Sequence, residues 1–274
     1  MLKFTVDPVL CTRCGMCVRD CPAQIIKQDG AALPDIAEDQ ELQCYQCQHC
    51  LAICPTAALS ILGRNPADSL PLVAGSLPSL DQVSRFVRAR RTVRQYRDKN
   101  VDPVLIQKLL TTLSNVPTGV NRRELTFTVI DEKTVMQGLR TKVYKALADA
   151  GGTGRIHEYL SAAATAYYAE GTDRVFRGAP HALIISAPPD APCFREDVVL
   201  AMAYFEFLAQ SAGLGTVWWG MFKSIFETLP ELKPLVNLPA DHAYYAMLFG
   251  TPAIHFARTV QRDDAAVIRR LAIQ

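Results

Sequence analysis

Long apolar runs are missing from this sequence: no stretch approaches the roughly 18 uninterrupted apolar residues that a membrane-spanning helix needs. The opening segment, MLKFTVDPVL, also lacks an apolar core of signal-peptide length before the first cysteine. Both absences point to a soluble, cytoplasmic chain with no membrane partner. A surplus of charge is missing as well. The 29 basic and 27 acidic residues leave a formal charge of +2, too little for the broad positive field that nucleic-acid binding uses. No G-x-G-x-x-G follows a strand-like run, which excludes a dedicated Rossmann nucleotide domain. After residue 54 cysteine almost vanishes, with Cys193 alone in the remaining stretch.

The other eight of the nine cysteines crowd into residues 11–54. In a secreted chain they would suggest disulfides, but here they fall into two runs of identical spacing, which argues for a cofactor in a reducing compartment. Cys11, Cys14, Cys17 and Cys21 read C-x2-C-x2-C-x3-C and are followed by Pro22; Cys44, Cys47, Cys50 and Cys54 repeat the pattern before Pro55. This is the spacing of bacterial ferredoxins with two [4Fe–4S] clusters. Three thiolates two residues apart wrap one face of a cubane while the fourth points away. By that logic Cys11, Cys14, Cys17 and Cys54 hold one cluster, and Cys44, Cys47, Cys50 and Cys21 the other. Structural zinc also favours C-x2-C pairs, yet it closes with four ligands and rarely adds a third C-x2 step and a C-P. His49 sits among the thiolates of the second run, where four cysteines already suffice, and reads as a donor to a ligand or a spacer. Cys193 reads as a helix-start or core thiol.

Residues 1–62 are therefore expected to form a small ferredoxin-like domain in which metal replaces the core that so short a unit cannot build. Residues 63–78, with three prolines and two glycines, read as an extended linker. From 79 to 274 amphipathic patterns alternate with short apolar runs. Ser79 caps a helix with an apolar face of Leu80, Val83, Phe86 and Val87. Asp102–Pro103 opens another, carrying Val104, Leu105, Leu109, Leu110 and Leu113. LTFTVID at 125–131 alternates like a half-buried strand. Val135, Leu139, Val143 and Leu147 keep helical spacing up to Gly151–Gly152, and 155–169 continues in helical fashion. HALIISAP at 181–188 is short and uniformly apolar, which places it centrally in a sheet. A helix from about Phe194 to Ala212 stops at Gly213, and TVWWG and YYAMLFG read as strands. The class is α+β, with four or five strands.

Arg90-Arg91-Thr92-Val93-Arg94-Gln95-Tyr96 sets guanidinium groups, suited to bidentate phosphate binding, beside a small hydroxyl, although basic helix ends also arise without a ligand. RRTVRQY resembles the R-R-S-x-R-x-F/Y segment that opens nitroreductase-family flavoproteins. Four later segments follow the family order. Val116-Pro117-Thr118-Gly119-Val120-Asn121-Arg122-Arg123 resembles its P-S-x-x-N-x-Q/R turn, and Gly178-Ala179-Pro180-His181 its A-P strand entry. Ala212-Gly213-Leu214-Gly215-Thr216-Val217-Trp218-Trp219 is similar to its A-x-G-L-G-T-x-W segment, and Phe249-Gly250-Thr251-Pro252, with Arg258 and Arg262 beyond, to its G-Y-P and distal basic residues.

The resemblance spans about 79–274 and rests on the fixed order of five weak motifs. It implies a mainly antiparallel central sheet among helices, and FMN. Arg90, Arg91, Thr92 and Arg94 would grip the phosphate and ribityl, with Arg258 and Arg262 returning to the phosphate. Pro117, Thr118, Asn121 and Arg123 would face the flavin, and Gly213, Leu214 and Gly215 would pass beside the ring. Arg123 departs from the pattern, standing where many members carry glutamine or lysine. Gly213 and Gly215 also suit a plain helix stop and a close approach, and Trp218 and Trp219 a core. The stripe Val199, Met202, Phe205 and Phe207 fits either core or the seam of the homodimer that the resemblance implies. Glu196 and Asp197 read as favouring their helix start.

Clusters carry one electron at a time and a flavin two, so the expected activity is a reductase. An external low-potential donor, ferredoxin-like, flavodoxin-like or NAD(P)H, would feed two [4Fe–4S] clusters and then FMN. An electron-poor small molecule such as a nitroaromatic, quinone or enone would be reduced. The alternative is an electron-transfer adaptor or redox sensor serving a partner protein. No acid or base is compelled. His157, Tyr159, Tyr167, Tyr168 and His181 are candidates for lining the substrate side, each with an ordinary structural role open to it.

Overall fold

The structure, a computed structural model, describes residues 1–272; the last two residues of the 79–274 span lie outside the described residues. The chain divides into two compact units. One holds Met1–Pro78 with Val120–Arg122, and the other Ser79–Gly119 with the residues from Arg123 onward.

In the first unit β1 (Thr5–Val6) pairs antiparallel with β4 (Leu59–Ser60), and β2 (Ile26–Lys27) pairs antiparallel with β3 (Asp35–Ile36). Two short helices, α1 (Met16–Asp20) and α2 (His49–Ala52), start inside the cysteine runs. The backbone repeats itself. Arg13, Gly15 and Gln24 take positive φ, and so do Gln46, Gln48 and Ala57, each 33 residues further on. Five of these six residues carry a Cβ in a region that favours glycine, a cost accepted where the chain must curl tightly. The apolar core is small, built chiefly on Leu2, Ile25, Ile26, Ile36, Leu51, Leu59 and Ile61, with Cys17 and Cys50 buried among them. So slight a core leaves the unit dependent on another source of stability.

The second unit carries α3 (Leu80–Ala89), α4 (Pro103–Leu113), β5 (Thr126–Ile130), α5 (Lys133–Ala150), α6 (Glu158–Glu170), β6 (His181–Ala187), α7 (Phe194–Ser211), β7 (Gly215–Trp218), α8 (Gly220–Thr228) and β8 (Ala243–Gly250). The four strands form one antiparallel sheet in the order β5-β6-β8-β7. The expected α+β class is what the chain adopts. Strand β6 is buried along its whole length because both faces of the sheet are covered. Ala182 and Ile184 point into a core shared with α5, α6 and α8, whereas Leu183, Ile185 and Ala187 point into one shared with α4 and α7. Local signals set the helix starts. Ser79 and Gln82 form a reciprocal capping box, and Asp102 accepts the Val104 amide ahead of Pro103. Gly213, at φ 73°, takes the chain out of α7. Among the described residues no helix is long and apolar enough to cross a membrane.

Four apolar stripes divide differently from expectation. On α3 no residue is buried: Leu80, Val83 and Val87 are exposed, and Phe86 tilts against Phe207. On α4 Ile106 joins Leu109 and Leu113 in the core while Val104 faces out, and on α5 Met136 and Tyr144 are buried where Val135 is exposed. On α7 Met202 and Phe205 are core, but Val199 and Phe207 share an outward face with Leu200 and Tyr204. The stripe named from the sequence mixed the two faces of a helix that is apolar on both.

His181 starts β6 fully buried, and its Nε2 accepts the Val101 amide at 2.9 Å. Burial holds its pKa below the ordinary value, against the opposing pull of the Ile130 carbonyl and of Asp131 and Glu132. As pH falls below about 6.5 the unfolded chain takes up the proton first, so stability drops with pH until the lowered native value is passed. Urea unfolding between pH 8 and 5 should show this slope, and His181→Gln, whose side-chain carbonyl can still accept from Val101, should flatten it.

Candidate functional site

The eight cysteines of the two runs come together in the first unit as two groups of four. Cys11, Cys14, Cys17 and Cys54 line one hollow, with Pro34 and Pro55 in its wall. Cys21, Cys44, Cys47 and Cys50 line the other, with Pro22 and Tyr45. Counting the space at their mouths, the hollows measure about 360 and 340 Å³. Each draws its fourth thiol from the opposite run.

The surroundings suit sulfur ligands. The Gln46 amide donates to Cys44 Sγ at 3.3 Å and the Ala58 amide to Cys54 Sγ at 3.2 Å. The Met16 amide and the Thr12 hydroxyl lower the Cys14 pKa. Burial pushes the Cys50 thiol up to about 12 and raises Cys17 and Cys44 as well. Thiols so placed keep their protons unless a metal cation displaces them, which is how a thiolate cluster assembles. His49 is exposed and lies 3.1 Å from Asp20 through Nδ1, tying the end of the first run to the second.

In the second unit four of the five motif segments converge. The Val93 amide donates to the Thr216 carbonyl at 2.8 Å, and Thr92 bridges Thr216 in parallel fashion, so the Arg90–Tyr96 segment runs beside β7. The same segment is fastened to the chain after β8 by Ala253 N–H to the Gln95 carbonyl and Arg97 N–H to the Thr251 carbonyl, both 2.9 Å. Two glycines permit the approach. A Cβ at Gly215 would lie 2.7 Å from the Val93 side chain, and one at Gly250 would lie 2.8 Å from the Pro180 ring.

Within this junction Arg91 is half-buried, and its Nε is buried with no hydrogen-bond partner among the described residues. Burial lowers its pKa, and the nearby Arg262 and Arg90 guanidinium groups lower it further. Guanidinium groups that repel one another around an unpaired donor make a fitting cradle for a phosphate dianion. Thr92 is half-buried beside it, and Arg94 and Arg258 are exposed. Arg90, expected on the same ligand, has its Nη1 3.3 Å from Glu206 Oε1. Leu214 is buried between Gly213 and Gly215.

The fifth segment is a strained turn. Val120, Asn121 and Arg123 all take positive φ, which is costly above all for the β-branched Val120. Thr118 Oγ1, one residue beyond Pro117, accepts the Arg123 amide at 3.0 Å. Asn121, grouped with the first unit, spends its side-chain amide on the Tyr45 carbonyl at 2.8 Å. Both carboxylate oxygens of buried Asp197 lie 3.1 Å from the Gly119 amide. Asp197 thus does more than favour its helix start; the position near an N-terminus hid that role in the sequence. Cys193 caps the same helix and packs against Gly119, where a Cβ would lie 2.8 Å from its sulfur.

The candidate substrate-side residues do not assemble. His157 caps α6 through Nδ1, Tyr167 stacks on Tyr144 at 3.8 Å, and Tyr168 stands edge-on to Tyr167. Tyr159 is exposed and His181 lies in the core. Glu206 is the residue that the sequence reading missed, although a carboxylate inside the run Tyr204-Phe205-Glu206-Phe207 is itself a signal.

Residues 87–251 match the model of the nitroreductase family, and residues 10–59 match that of the 4Fe-4S dicluster domain. A protein of Methanothermobacter thermautotrophicus bearing the name NADH dehydrogenase/NAD(P)H nitroreductase is 23% identical over 186 residues, 66% of this chain and 82% of its own length. Among solved structures, a nitroreductase with bound FMN from Bacteroides fragilis superposes with a TM-score of 0.53 at 20% identity, over 69% of this chain and 99% of that one. An FMN-dependent nitroreductase from Clostridium difficile gives 0.52 at 15% identity, over 70% and 99%.

The glycine junction is testable by itself. Gly215→Ala should cost about 1–3 kcal/mol in urea unfolding, because the stiff Val93 cannot yield. Gly138→Ala, on α5 with open space at the Cβ position, should instead stabilise by up to about 1 kcal/mol.

Proposed function

Given that the chain belongs to the nitroreductase family and is an oxidoreductase with a 4Fe-4S dicluster domain at its N-terminal end, we propose that it is a reductase wired through two clusters to FMN. The observation that carries this reading is the pair of four-thiol hollows in a chain whose larger unit also offers a phosphate cradle. When bound, the clusters would supply single electrons and FMN would supply two together to an electron-poor small molecule of nitroaromatic, quinone or enone type.

The chain's own part is to hold and orient. Cys11, Cys14, Cys17 and Cys54 would bind one cluster, and Cys21, Cys44, Cys47 and Cys50 the other. Arg91, Thr92 and Arg262 would grip the phosphate end of the flavin. Gly213–Gly215 would bring backbone amides close to the ring, where oriented donors steady negative charge. The electron donor is a low-potential protein of ferredoxin or flavodoxin type, a preference supported by the lack of a Rossmann motif. The small domain spans residues 1–62 and the flavin domain begins at residue 79. Thiols in such number suit the reducing cytoplasm. The working assembly is a homodimer, supported by the apolar faces that α3 and α7 leave uncovered: Leu80, Val83 and Val87 on one, Leu200, Tyr204 and Phe207 on the other.

Anaerobically purified protein should contain about eight iron and eight sulfide per chain, with releasable FMN, and Cys50→Ser should lose about half of the iron. Colourless protein would sink the reading. In stopped-flow, reduced ferredoxin should bleach the flavin quickly; rapid bleaching by NADH or NADPH alone would overturn the donor preference. A reduced protein that passes electrons to a partner but to no small acceptor would favour the adaptor alternative. In sedimentation the wild type should run as a dimer and the double variant Tyr204→Glu, Phe207→Glu as a monomer.

A further inference from the structure

Of the carboxylates among the described residues, only Asp197 and Glu206 are buried, and both lie on α7. A buried carboxylate is costly unless charge and hydrogen bonds compensate it. Glu206 has both. Oε1 lies 3.3 Å from Arg90 Nη1 and accepts from the Thr216 hydroxyl at 3.4 Å, while Oε2 accepts from the Trp218 indole at 3.1 Å. Its three donors come from the two segments that run side by side where Thr92 meets Thr216. One turn further along α7, Gln210 Nε2 donates to the Phe86 carbonyl at 2.9 Å and so holds the end of α3 that leads into the same segment.

Arg90 Nη1 is thereby held by Glu206, which offsets its charge. Its neighbour Arg91 donates from Nη2 to the Arg88 carbonyl at 3.3 Å, keeps a buried Nε with no partner among the described residues, and lies within electrostatic reach of Arg262. We infer that Glu206 is a positioning residue: it neutralises Arg90 and staples the arginine segment to β7, so that Arg91 and Arg262, and not Arg90, form the anion subsite for the flavin phosphate. This rests on the flavin reading above.

The test is FMN affinity of the full-length, anaerobically prepared protein, read by quenching of flavin fluorescence. Arg91→Met should weaken binding by about tenfold or more, the value of one charge-assisted hydrogen bond, and Arg90→Met by no more than about threefold. Glu206→Gln keeps the shape but strands the Arg90 charge, and should weaken binding by about tenfold. The double variant Arg90→Met, Glu206→Gln should recover to within about threefold of wild type, a rescue that loss of generic packing would not give. The Trp218 emission should shift in Glu206→Leu, where the indole loses its acceptor. Arg90→Met as damaging as Arg91→Met, or Glu206→Gln without effect, would overturn the inference while leaving the flavin reading standing. A wild-type chain that takes up no FMN would overturn both. Should Glu206→Gln fail to fold, the comparison of Arg90→Met with Arg91→Met decides.

Discussion

The second unit turns on a backbone contact that side chains alone would not reveal: the Val93 amide reaches the Thr216 carbonyl at 2.8 Å, through a gap that Gly215 leaves open. A guanidinium can be aimed only if the chain that carries it is fixed, and this bond fixes the arginine segment to the sheet edge. The fastenings at Gln95 and Arg97 continue the seam. Phosphate binding, as proposed, would therefore depend on strand geometry before it depends on charge.

The first unit solves a different problem. Its few core residues cannot offset the entropy of ordering so many turns. The paired hollows bring thiols together at the unit's centre, and the tight curls before and after the cysteines accept unfavourable backbone angles to do so. Metal binding of this kind is folding free energy as much as it is chemistry. Burial of Cys17 and Cys50 serves both ends, since it completes the small core and keeps those sulfurs out of water.

Much of this was legible in the sequence, for physical reasons that differ by element. The α+β class, the central place of His181–Ala187 and the starts of α3 and α4 follow from short-range signals: a seven-residue run in which only His181 and Ser186 are polar, and capping side chains ahead of apolar periods. What escaped depends on contacts between distant segments. The outward face of α7 could not be told from its core face because both are apolar, and only packing decides. Arg90 and Arg91 are adjacent and chemically alike, yet one meets Glu206 and the other does not; periodicity carries no information about that. Asp197 looked like an ordinary acid in a first helical turn until the Gly119 amide, 78 positions away, proved to be its partner.

The exchange of Cys21 and Cys54 between the two hollows makes the halves of the first unit interdependent. Neither run closes its own ring of sulfur, so a fragment ending before Asp35 would leave three thiols facing an open side. Closing either ring of four thiols takes residues from both runs, so under the proposed reading metal uptake and the folding back of the chain would be coupled.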